Sequence, residues 1–534
     1  MRLAWAALTV LSLGACGGPQ EPRTPDVLLI SLDSVRADTL TFLDEETAPN
    51  LARLARRGTR FTQAVSGTSW TLPSHAQMFT GMPPALHGLQ ESDLVLDPQL
   101  DTLPELLRDS GYRTAGFYTC WYLTDAYGFG SGFDLYENAM QGGAGLVQAL
   151  ELALEEDSPD DQRRAFRRQV PAQRDITSPR VAASARAALE QMGSEEPVLL
   201  FTHLFDPHFD YVPPPPFDTR FDPAYEGSMT GEDFWTNPAV FDAGRTPPRV
   251  ISDRDLEHVR ALYRGEVAWT DAAIGELLDA LEQRGRLDET LIIVTADHGE
   301  EFFEHGGRGH RQTLFDEVLR VPLLVVPPRS VVPEPAATCA DQVSLSDLLP
   351  TVLDLCGLDA PEGLHGRSLR PALEGTALEP RAQVATLSLP LEGGRPGRAL
   401  LEAWRTPEQK LLRTWARFDG ETETRLVGVS WYDLVSDPGE QQPVQGLEDA
   451  RVRRAWRQLE DECDRVRSLW QARDRTPQDR LFTNLEAVVG GDLAALGYAT
   501  AGSDGPQSRA DRLGLEPLAP ARLSGRRAAP AEQR

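Results

Sequence analysis

The feature that most constrains the fold of this chain is an aliphatic run that ends in a carboxylate. Val27 to Leu32 is almost continuously aliphatic, which is typical of a parallel strand buried on both faces, and Asp33 follows it directly. A second buried run, Leu291 to Thr295, leads into Asp297 and His298. Open α/β sheets bind ligands at the carboxyl ends of their strands, so both run ends are candidate ligand positions.

The remaining pattern alternates between buried strands and helices over some 300 residues. This alternation predicts an α/β fold: a doubly wound, mostly parallel sheet flanked by helices, within a catalytic domain at 26–380. The other predicted strands are Arg113–Tyr118, Val198–His203 and Val321–Val326, and the predicted helices are Pro49–Arg57, Pro179–Gln191, Asp255–Arg284 and Leu345–Leu355.

The pattern changes after about residue 380. Short runs such as Leu411–Trp415, Thr424–Val427 and Trp431–Leu434 favour a small antiparallel sheet, and Ala450–Trp470 favours a charged amphipathic helix. We therefore expect a C-terminal α+β subdomain at 381–500. The segment 501–534 is rich in Gly, Pro, Ala and Arg and is predicted to be disordered.

The first 25 residues favour export. A basic residue, a short apolar run and small residues before Cys16 indicate a signal peptide at 1–15 and a tether at 16–25. The segment Leu13-Gly14-Ala15-Cys16 resembles the bacterial lipobox, which implies a lipid on Cys16. The expected location is the cell envelope, at the outer membrane or the periplasmic face, with the lipid as the only membrane contact. The alternative is a plain signal peptide.

The charge balance limits the kind of partner. A formal net charge of −28 argues against nucleic acid, which needs a basic surface. A small anionic substrate would need a local positive site, and a metal ion is the obvious source. Among the 53 basic residues, Lys410 is the only lysine.

Seven of the nine histidines fall in three short segments, a clustering that suggests metal ligation or anion binding. The segments hold His75 and His87; His203 and His208; and His298, His305 and His310.

Thr71 is the candidate nucleophile. Pro73 suits the first turn of a helix and Gly81 suits its end, so Thr71 is expected at a helix N-terminus, where backbone dipoles stabilise an alkoxide or a bound anion. The alternative is a simple helix cap, which is the commoner role for such a threonine.

Together these segments resemble the sulfatase family of the alkaline-phosphatase superfamily. The similarity runs from about Pro25 to Gly375 and rests on the motifs around Asp33, Thr71 and Asp297. It implies an alkaline-phosphatase-like fold and a divalent cation, Ca, Mg, Mn or Zn. The implied metal ligands are Asp33, Ser34, Asp297 and His298, and the implied catalytic residues are Thr71, His75, His208 and His310, of which His208 or His310 would protonate the leaving alcohol.

Several positions depart from that family. Thr71 replaces the Cys or Ser that becomes formylglycine, and His75 replaces an arginine. The two lysines that usually bind sulfate in that family are also missing. One would fall in the Cys120-Trp121-Tyr122 segment and the other near His310.

Three functions are compatible with this set. The first is a metal-dependent hydrolase of sulfate or phosphate esters with Thr71 as nucleophile. The second is a phosphodiesterase or phosphoryl transferase acting on envelope components, with a second metal site drawn from Asp206, His208, Asp210, His305 and His310. The third is an inactive, substrate-binding lipoprotein.

Overall fold

An eight-stranded sheet forms the centre of the molecule in the computed structural model. The structure describes residues 24–139 and 177–471, apart from short gaps at 93, 193–195, 233, 236, 243–244, 246–247, 392–396 and 420–423. The predictions for the signal peptide, for the tether up to residue 23, for the part of the C-terminal subdomain at 472–500 and for the tail at 501–534 lie outside these residues.

The large sheet has the order β10-β2-β9-β6-β1-β5-β3-β4. Five neighbouring pairs are parallel, and only β9 runs antiparallel to its two neighbours. Its strands are β1 (Asp26–Leu32), β2 (Thr59–Val65), β3 (Arg113–Tyr118), β4 (Leu135–Asn138), β5 (Val198–Leu204), β6 (Thr290–Ala296), β9 (Arg320–Val326) and β10 (Thr338–Ser344), with the short hairpin β7 (Glu301–Phe302) and β8 (Arg308–Gly309) beside it.

Helices flank this sheet and cover the faces of its central strands, which explains why β1, β5 and β6 are buried at every residue. The α-helices are α1 (Pro49–Ala55), α2 (Thr71–Thr80), α3 (Pro84–His87), α4 (Leu103–Asp109), α5 (Ser178–Gln191), α6 (Asp253–Gln283), α7 (Asp316–Leu319), α8 (Leu348–Leu355), α9 (Arg370–Leu373) and α10 (Ala450–Gln471). No helix among the described residues is long and apolar enough to cross a membrane.

A second, five-stranded antiparallel sheet follows. It contains β11 (Gln383–Leu391), β12 (Gly397–Arg405), β13 (Gln409–Phe418), β14 (Arg425–Asp433) and β15 (Val444–Gln445), and α10 packs against it. The predicted fold class, a mostly parallel sheet flanked by helices with a small C-terminal antiparallel sheet, is confirmed.

The sequence patterns missed some elements. β2 and β10 were not predicted, because each mixes buried and partly exposed residues and lacks a continuous aliphatic run. The two short predicted strands 424–427 and 431–434 fall on one strand, β14, because a register shift near Trp415 lets β14 stay paired with β13 from Arg425 to Asp433.

A buried ionic cluster joins the two sheets. Lys410 on β13 is fully buried, and its Nζ lies 3.0 Å from Asp316 Oδ1 on α7 and 2.9 Å from Glu440 Oε1. Arg405 on β12 pairs with the same Asp316 at 2.7 Å. The only lysine of the chain therefore has a structural role as the cation of this cluster.

We expect Lys410→Met to lower the free energy of unfolding by about 3–5 kcal/mol, because it leaves buried carboxylates without their cation. Urea denaturation measures this change. The matched control is Arg417→Met on the same strand, whose side chain is exposed and whose loss should cost no more than about 0.5 kcal/mol. Equal unfolding free energies for the two variants would contradict a structural role for Lys410.

Candidate active site

Three adjacent parallel strands bring the acidic and histidine side chains together. His203 lies near the end of β5, Asp33 follows β1, and Asp297 and His298 follow β6. The strand ladder continues into these ends, since the Asp33 amide donates to Leu204 O at 2.9 Å. The shared register therefore fixes their positions at one edge of the sheet.

Asp33, Asp297 and His298 form a group suited to a metal ion. One ligand atom from each lies within 4.8 Å of the others, and all three side chains are fully buried. His298 Nδ1 donates to Gly299 O at 2.9 Å, which leaves the Nε2 lone pair facing the carboxylates. His298 Nε2 lies 3.8 Å from Asp33 Oδ1 and 3.4 Å from Asp297 Oδ2.

The electrostatics of the two carboxylates also fit a cation. Burial and the neighbouring Asp33 charge raise the pKa of Asp297 well above its ordinary value. Burial would raise the pKa of Asp33 too, but the hydrogen bond from His203 and the nearby histidines hold it below its ordinary value. Asp297 Oδ2 is buried and has no hydrogen-bond partner among the described residues. Two oxygens and one imidazole nitrogen suit a divalent cation, so the residues fit the predicted cofactor.

Ser34 lies beside this group as a hydrogen-bond donor. Its hydroxyl donates to Asp33 Oδ1 at 2.7 Å, and its amide donates to Asp297 Oδ1 at 3.1 Å. Its φ of +59° turns the backbone so that both groups reach the two carboxylates. In this geometry Ser34 orients the two carboxylates, and its predicted role as a ligand stays a prediction.

Thr71 is the first residue of α2, as the Pro73 and Gly81 pattern predicts for a helix N-terminus. Its Oγ1 lies 3.5 Å from Asp33 Oδ2 and 3.5 Å from His298 Nε2. The positive end of the α2 dipole lies at this N-terminus.

His75 lies one turn further along α2 and is fully buried. Its Nδ1 donates to Thr71 O at 2.9 Å, so Nε2 accepts from the Ser31 hydroxyl at 2.9 Å. Burial and the adjacent His203 hold the pKa of His75 at about 3, which makes it neutral. This geometry suits a residue that positions the Thr71 backbone.

His203 is a site residue that the sequence pattern placed among the clustered histidines without an individual role. Its Nε2 donates to Asp33 Oδ2 at 3.2 Å, and its ring lies 5.0 Å from that of His75. With His75 and Asp297 it forms a second group of closely spaced ligand atoms. The sequence signal that could have identified it is its position at the end of the predicted strand β5. There it pairs in register with Ser31, two residues before Asp33.

His208 and His310 lie together next to His298. The His310 ring is 4.4 Å from that of His298 and 4.9 Å from that of His208. His310 Nδ1 is 3.0 Å from Glu300 Oε1, and the Tyr211 hydroxyl donates to the other Glu300 oxygen at 2.9 Å. The sequence assigned no role to Glu300, although it lies in the same segment as Asp297.

Both histidines are electrostatically disfavoured as cations. Burial, with the nearby His298 and Arg311 charges, lowers the pKa of His310 well below its ordinary value. Burial also lowers the pKa of His208 to about 4.

The residues suggested for a second metal site do not all meet. Asp206 accepts hydrogen bonds from the Thr177 and Ser178 amides at the start of α5. His305 stacks on Phe315 and pairs with Glu317 at 3.4 Å. Of the five residues, His208 and His310 are the ones whose rings are in contact.

The segment between β5 and α6 forms a wall next to these histidines. Trp235 stacks on Phe209 with ring centroids 5.4 Å apart, and Phe209 packs against His208 and His310. A Cβ at Gly309 would come within 2.6 Å of the Trp235 ring, so this close approach needs glycine.

The family model described as Sulfatase matches residues 25–358. The chain belongs to the sulfatase family. Members of this family generally depend on a divalent metal, and the group of Asp33, Asp297 and His298 gives this sulfatase-family chain a place for one.

Curated relatives and solved structures are also similar to this sulfatase-family chain. Arylsulfatase K of Rattus norvegicus is 25% identical over 394 residues, which cover 68% of this chain and 65% of the relative, so the match spans just under two thirds of that protein. An ulvan-active sulfatase of Formosa agariphila is 25% identical over 440 residues, covering 80% and 78%. The crystal structure of a phosphonate monoester hydrolase of Agrobacterium radiobacter shares the fold, with a TM-score of 0.60 and 22% identity over 83% of this chain and 95% of that one.

We expect Ca²⁺, Mg²⁺, Mn²⁺ or Zn²⁺ to raise the Tm of the protein, because an ion that binds only the folded state stabilises it by about 2.7 kcal/mol at 100 times its Kd. Asp297→Asn should abolish this increase in a thermal denaturation series after chelation. Asp359→Asn, at an exposed position, is the control and should keep it. An unchanged metal-dependent Tm in Asp297→Asn would exclude Asp297 as a ligand.

Proposed function

We propose that this protein is a metal-dependent hydrolase of sulfate or phosphate esters in which the unmodified Thr71 hydroxyl is the nucleophile. One observation carries the proposal: Thr71 Oγ1 lies 3.5 Å from both Asp33 and His298, at the N-terminus of α2. A threonine that only caps a helix hydrogen-bonds to the helix backbone. That role requires neither a buried carboxylate nor an imidazole lone pair beside the hydroxyl.

The proposed reaction has two displacements. A divalent cation bound by Asp33, Asp297 and His298 would lower the pKa of the Thr71 hydroxyl and polarise the ester oxygens. Thr71 Oγ1 loses its proton to solvent and bonds to sulfur or phosphorus, while the bond to the alcohol oxygen breaks and its electron pair stays on that oxygen. Water then attacks the threonine ester, which restores the hydroxyl and releases the inorganic anion.

His310 is the better placed proton donor for the leaving alcohol. Glu300 fixes the Nδ1 edge of its ring and turns Nε2 away from the carboxyl. A bound anionic ester favours the positive charge that the ring takes up before it donates a proton. His208 Nδ1 faces the Phe209 carbonyl instead, at 2.7 Å.

The names of the relatives support either a sulfate ester or a phosphate ester as the substrate. The Formosa agariphila relative is a sulfatase and the Agrobacterium radiobacter structure is a phosphonate monoester hydrolase, so the fold serves hydrolysis at both sulfur and phosphorus. Thr71 in place of Cys or Ser removes the residue from which formylglycine is made, and therefore favours direct attack by the hydroxyl.

The test is a paired assay on aryl sulfate, aryl phosphate and bis-aryl phosphate with a series of divalent metals. We expect turnover of at least one monoester by the native protein, and a fall in kcat/KM of about 1,000-fold or more in Thr71→Ala, because the covalent route is lost. Thr68→Ala is the matched control: Thr68 is a buried threonine in the same loop, and its loss should leave turnover within about threefold of native.

The outcomes separate the candidate functions. Turnover confined to bis-aryl phosphate would assign a phosphodiesterase. Equal turnover by Thr71→Ala and Thr68→Ala would remove Thr71 as the nucleophile. No turnover of any ester with any metal would contradict hydrolysis and favour a binding role.

A further inference from the structure

A stretch of irregular backbone covers one flank of the site. Residues 234–241, here called the cover segment, lie between β5 and α6 and outside the named helices and strands. Phe234 and Val240 are nevertheless fully buried, and Phe241 is 7% exposed. Because irregular backbone makes few regular hydrogen bonds of its own, its position depends on the contacts of its side chains.

Arg308 joins the cover segment to the hairpin of β7 and β8. It lies on β8 and is 5% exposed, and its Nε and Nη2 both donate to Trp235 O, at 3.2 and 2.6 Å. Its guanidinium carbon lies 4.6 Å from the centroid of the Trp235 ring and 3.9 Å from that of the Phe241 ring. A buried guanidinium that faces two aromatic rings and donates twice to one carbonyl is held in a single orientation.

This junction lies next to the proposed acid. Arg308 precedes His310 by two residues in the same loop. Phe209 lies between the rings of Trp235 and His310, with centroid distances of 5.4 and 5.3 Å. A displacement of Trp235 would therefore remove the packing support behind the His310 ring.

A second route connects the cover segment to the same imidazole. The Phe234 ring packs 5.3 Å from that of Tyr211, whose hydroxyl donates to Glu300 at 2.9 Å. The other Glu300 oxygen lies 3.0 Å from His310 Nδ1. The cover segment thus supports the His310 ring both from its face and from its Nδ1 edge.

The hairpin has further anchors that do not involve Arg308. Glu301 Oε1 accepts from the Gly307 amide at 2.8 Å, and Glu304 pairs with Arg36 at 2.7 Å. We therefore expect the hairpin to stay folded without Arg308, while its attachment to the cover segment is lost.

We propose that Arg308 locks the cover segment onto the hairpin and, through Trp235 and Phe209, positions the His310 ring. The lock itself is independent of the reaction, whereas the claim that it serves proton donation to the leaving alcohol rests on the proposed function. Arg308 contacts no reacting atom and is a positioning residue. A proton donor must be held close to its productive geometry, which is what such support provides.

The first test compares two leaving groups. Phenyl and 4-nitrophenyl esters of the anion that the metal-loaded protein hydrolyses are assayed side by side; phenolate needs a proton as it leaves, whereas 4-nitrophenolate leaves readily without one. Arg308→Met should lower kcat/KM for the phenyl ester by about 10- to 100-fold, and for the 4-nitrophenyl ester by less than about threefold, because only the first depends on the acid. Arg308→Lys should give an intermediate loss, since it keeps the charge beside the rings but lacks the planar fork.

Trp235→Leu and Arg254→Met complete the series. Trp235→Leu leaves the backbone acceptor in place and removes the ring, so it should change the ratio of the two kcat/KM values in the same direction. Arg254→Met is the matched control: its guanidinium stacks on Tyr225 at 4.8 Å in the same connection, but it is half exposed and pairs with Asp222. Its ratio should stay within about twofold of native.

Hydrogen exchange measured by mass spectrometry tests the lock without any reaction. In Arg308→Met, peptides that contain residues 234–241 and 300–311 should exchange about tenfold faster than in the native protein, because the contacts that hold the two together are lost. Peptides from β1 and β6 should exchange as in the native protein, and Arg254→Met should leave all of these peptides unchanged.

Three results would overturn the inference. They are an unchanged ratio of the two esters in Arg308→Met, unchanged exchange in both segments, and faster exchange in β1 and β6 as well, which would assign Arg308 to global stability. Failure of the proposed function looks different. A native protein that hydrolyses neither ester, while Arg308→Met still speeds exchange in the two segments alone, keeps the lock and loses the hydrolase.

Discussion

The structure depends on two carboxylates, Asp33 and Asp297, that meet without solvent at the ends of neighbouring parallel strands. Burial and the repulsion from the neighbouring Asp33 charge together raise the pKa of Asp297. The surrounding donors reduce the cost: Ser34 donates to both side chains, and His203 donates to Asp33. These donors still leave Asp297 Oδ2 without a hydrogen-bond partner among the described residues, which is the position a cation would fill.

The proposed nucleophile and the proposed acid reach this centre from segments outside the central strands. The helix that begins at Thr71 is tied to the β6 end, because Ser74 Oγ donates to Asp297 O at 2.7 Å. The loop after β6 carries Glu300 and His310 to the opposite side, and Arg311 joins that loop back to the Thr71 segment. Nucleophile, metal ligands and proposed acid are thus connected by short backbone and side-chain contacts, which keep their relative positions fixed.

Much of this arrangement was predictable from the sequence, because continuous aliphatic runs are a strong signal and the residues at their ends share one sheet edge. Asp33, Asp297, His298 and Thr71 lie together as the pattern indicated. Contacts that depend on loop conformation were not predictable. His305 looks equivalent to His310 in the sequence, yet it stacks on Phe315 and pairs with Glu317 away from the site. Likewise, the sequence predicted the strand β9 but not its antiparallel direction, because burial on both faces does not determine direction.

The central claim is that an unmodified threonine at this metal centre forms a covalent bond to the substrate. The most direct measurement is peptide mass spectrometry of the metal-loaded protein, quenched in acid during turnover of whichever aryl monoester it accepts. The account predicts that Thr71 carries a phosphoryl or sulfuryl group in the quenched sample and is plain threonine before substrate is added. A protein that turns over the ester while Thr71 stays unmodified at every quench time, or that carries the group on another residue, would contradict it.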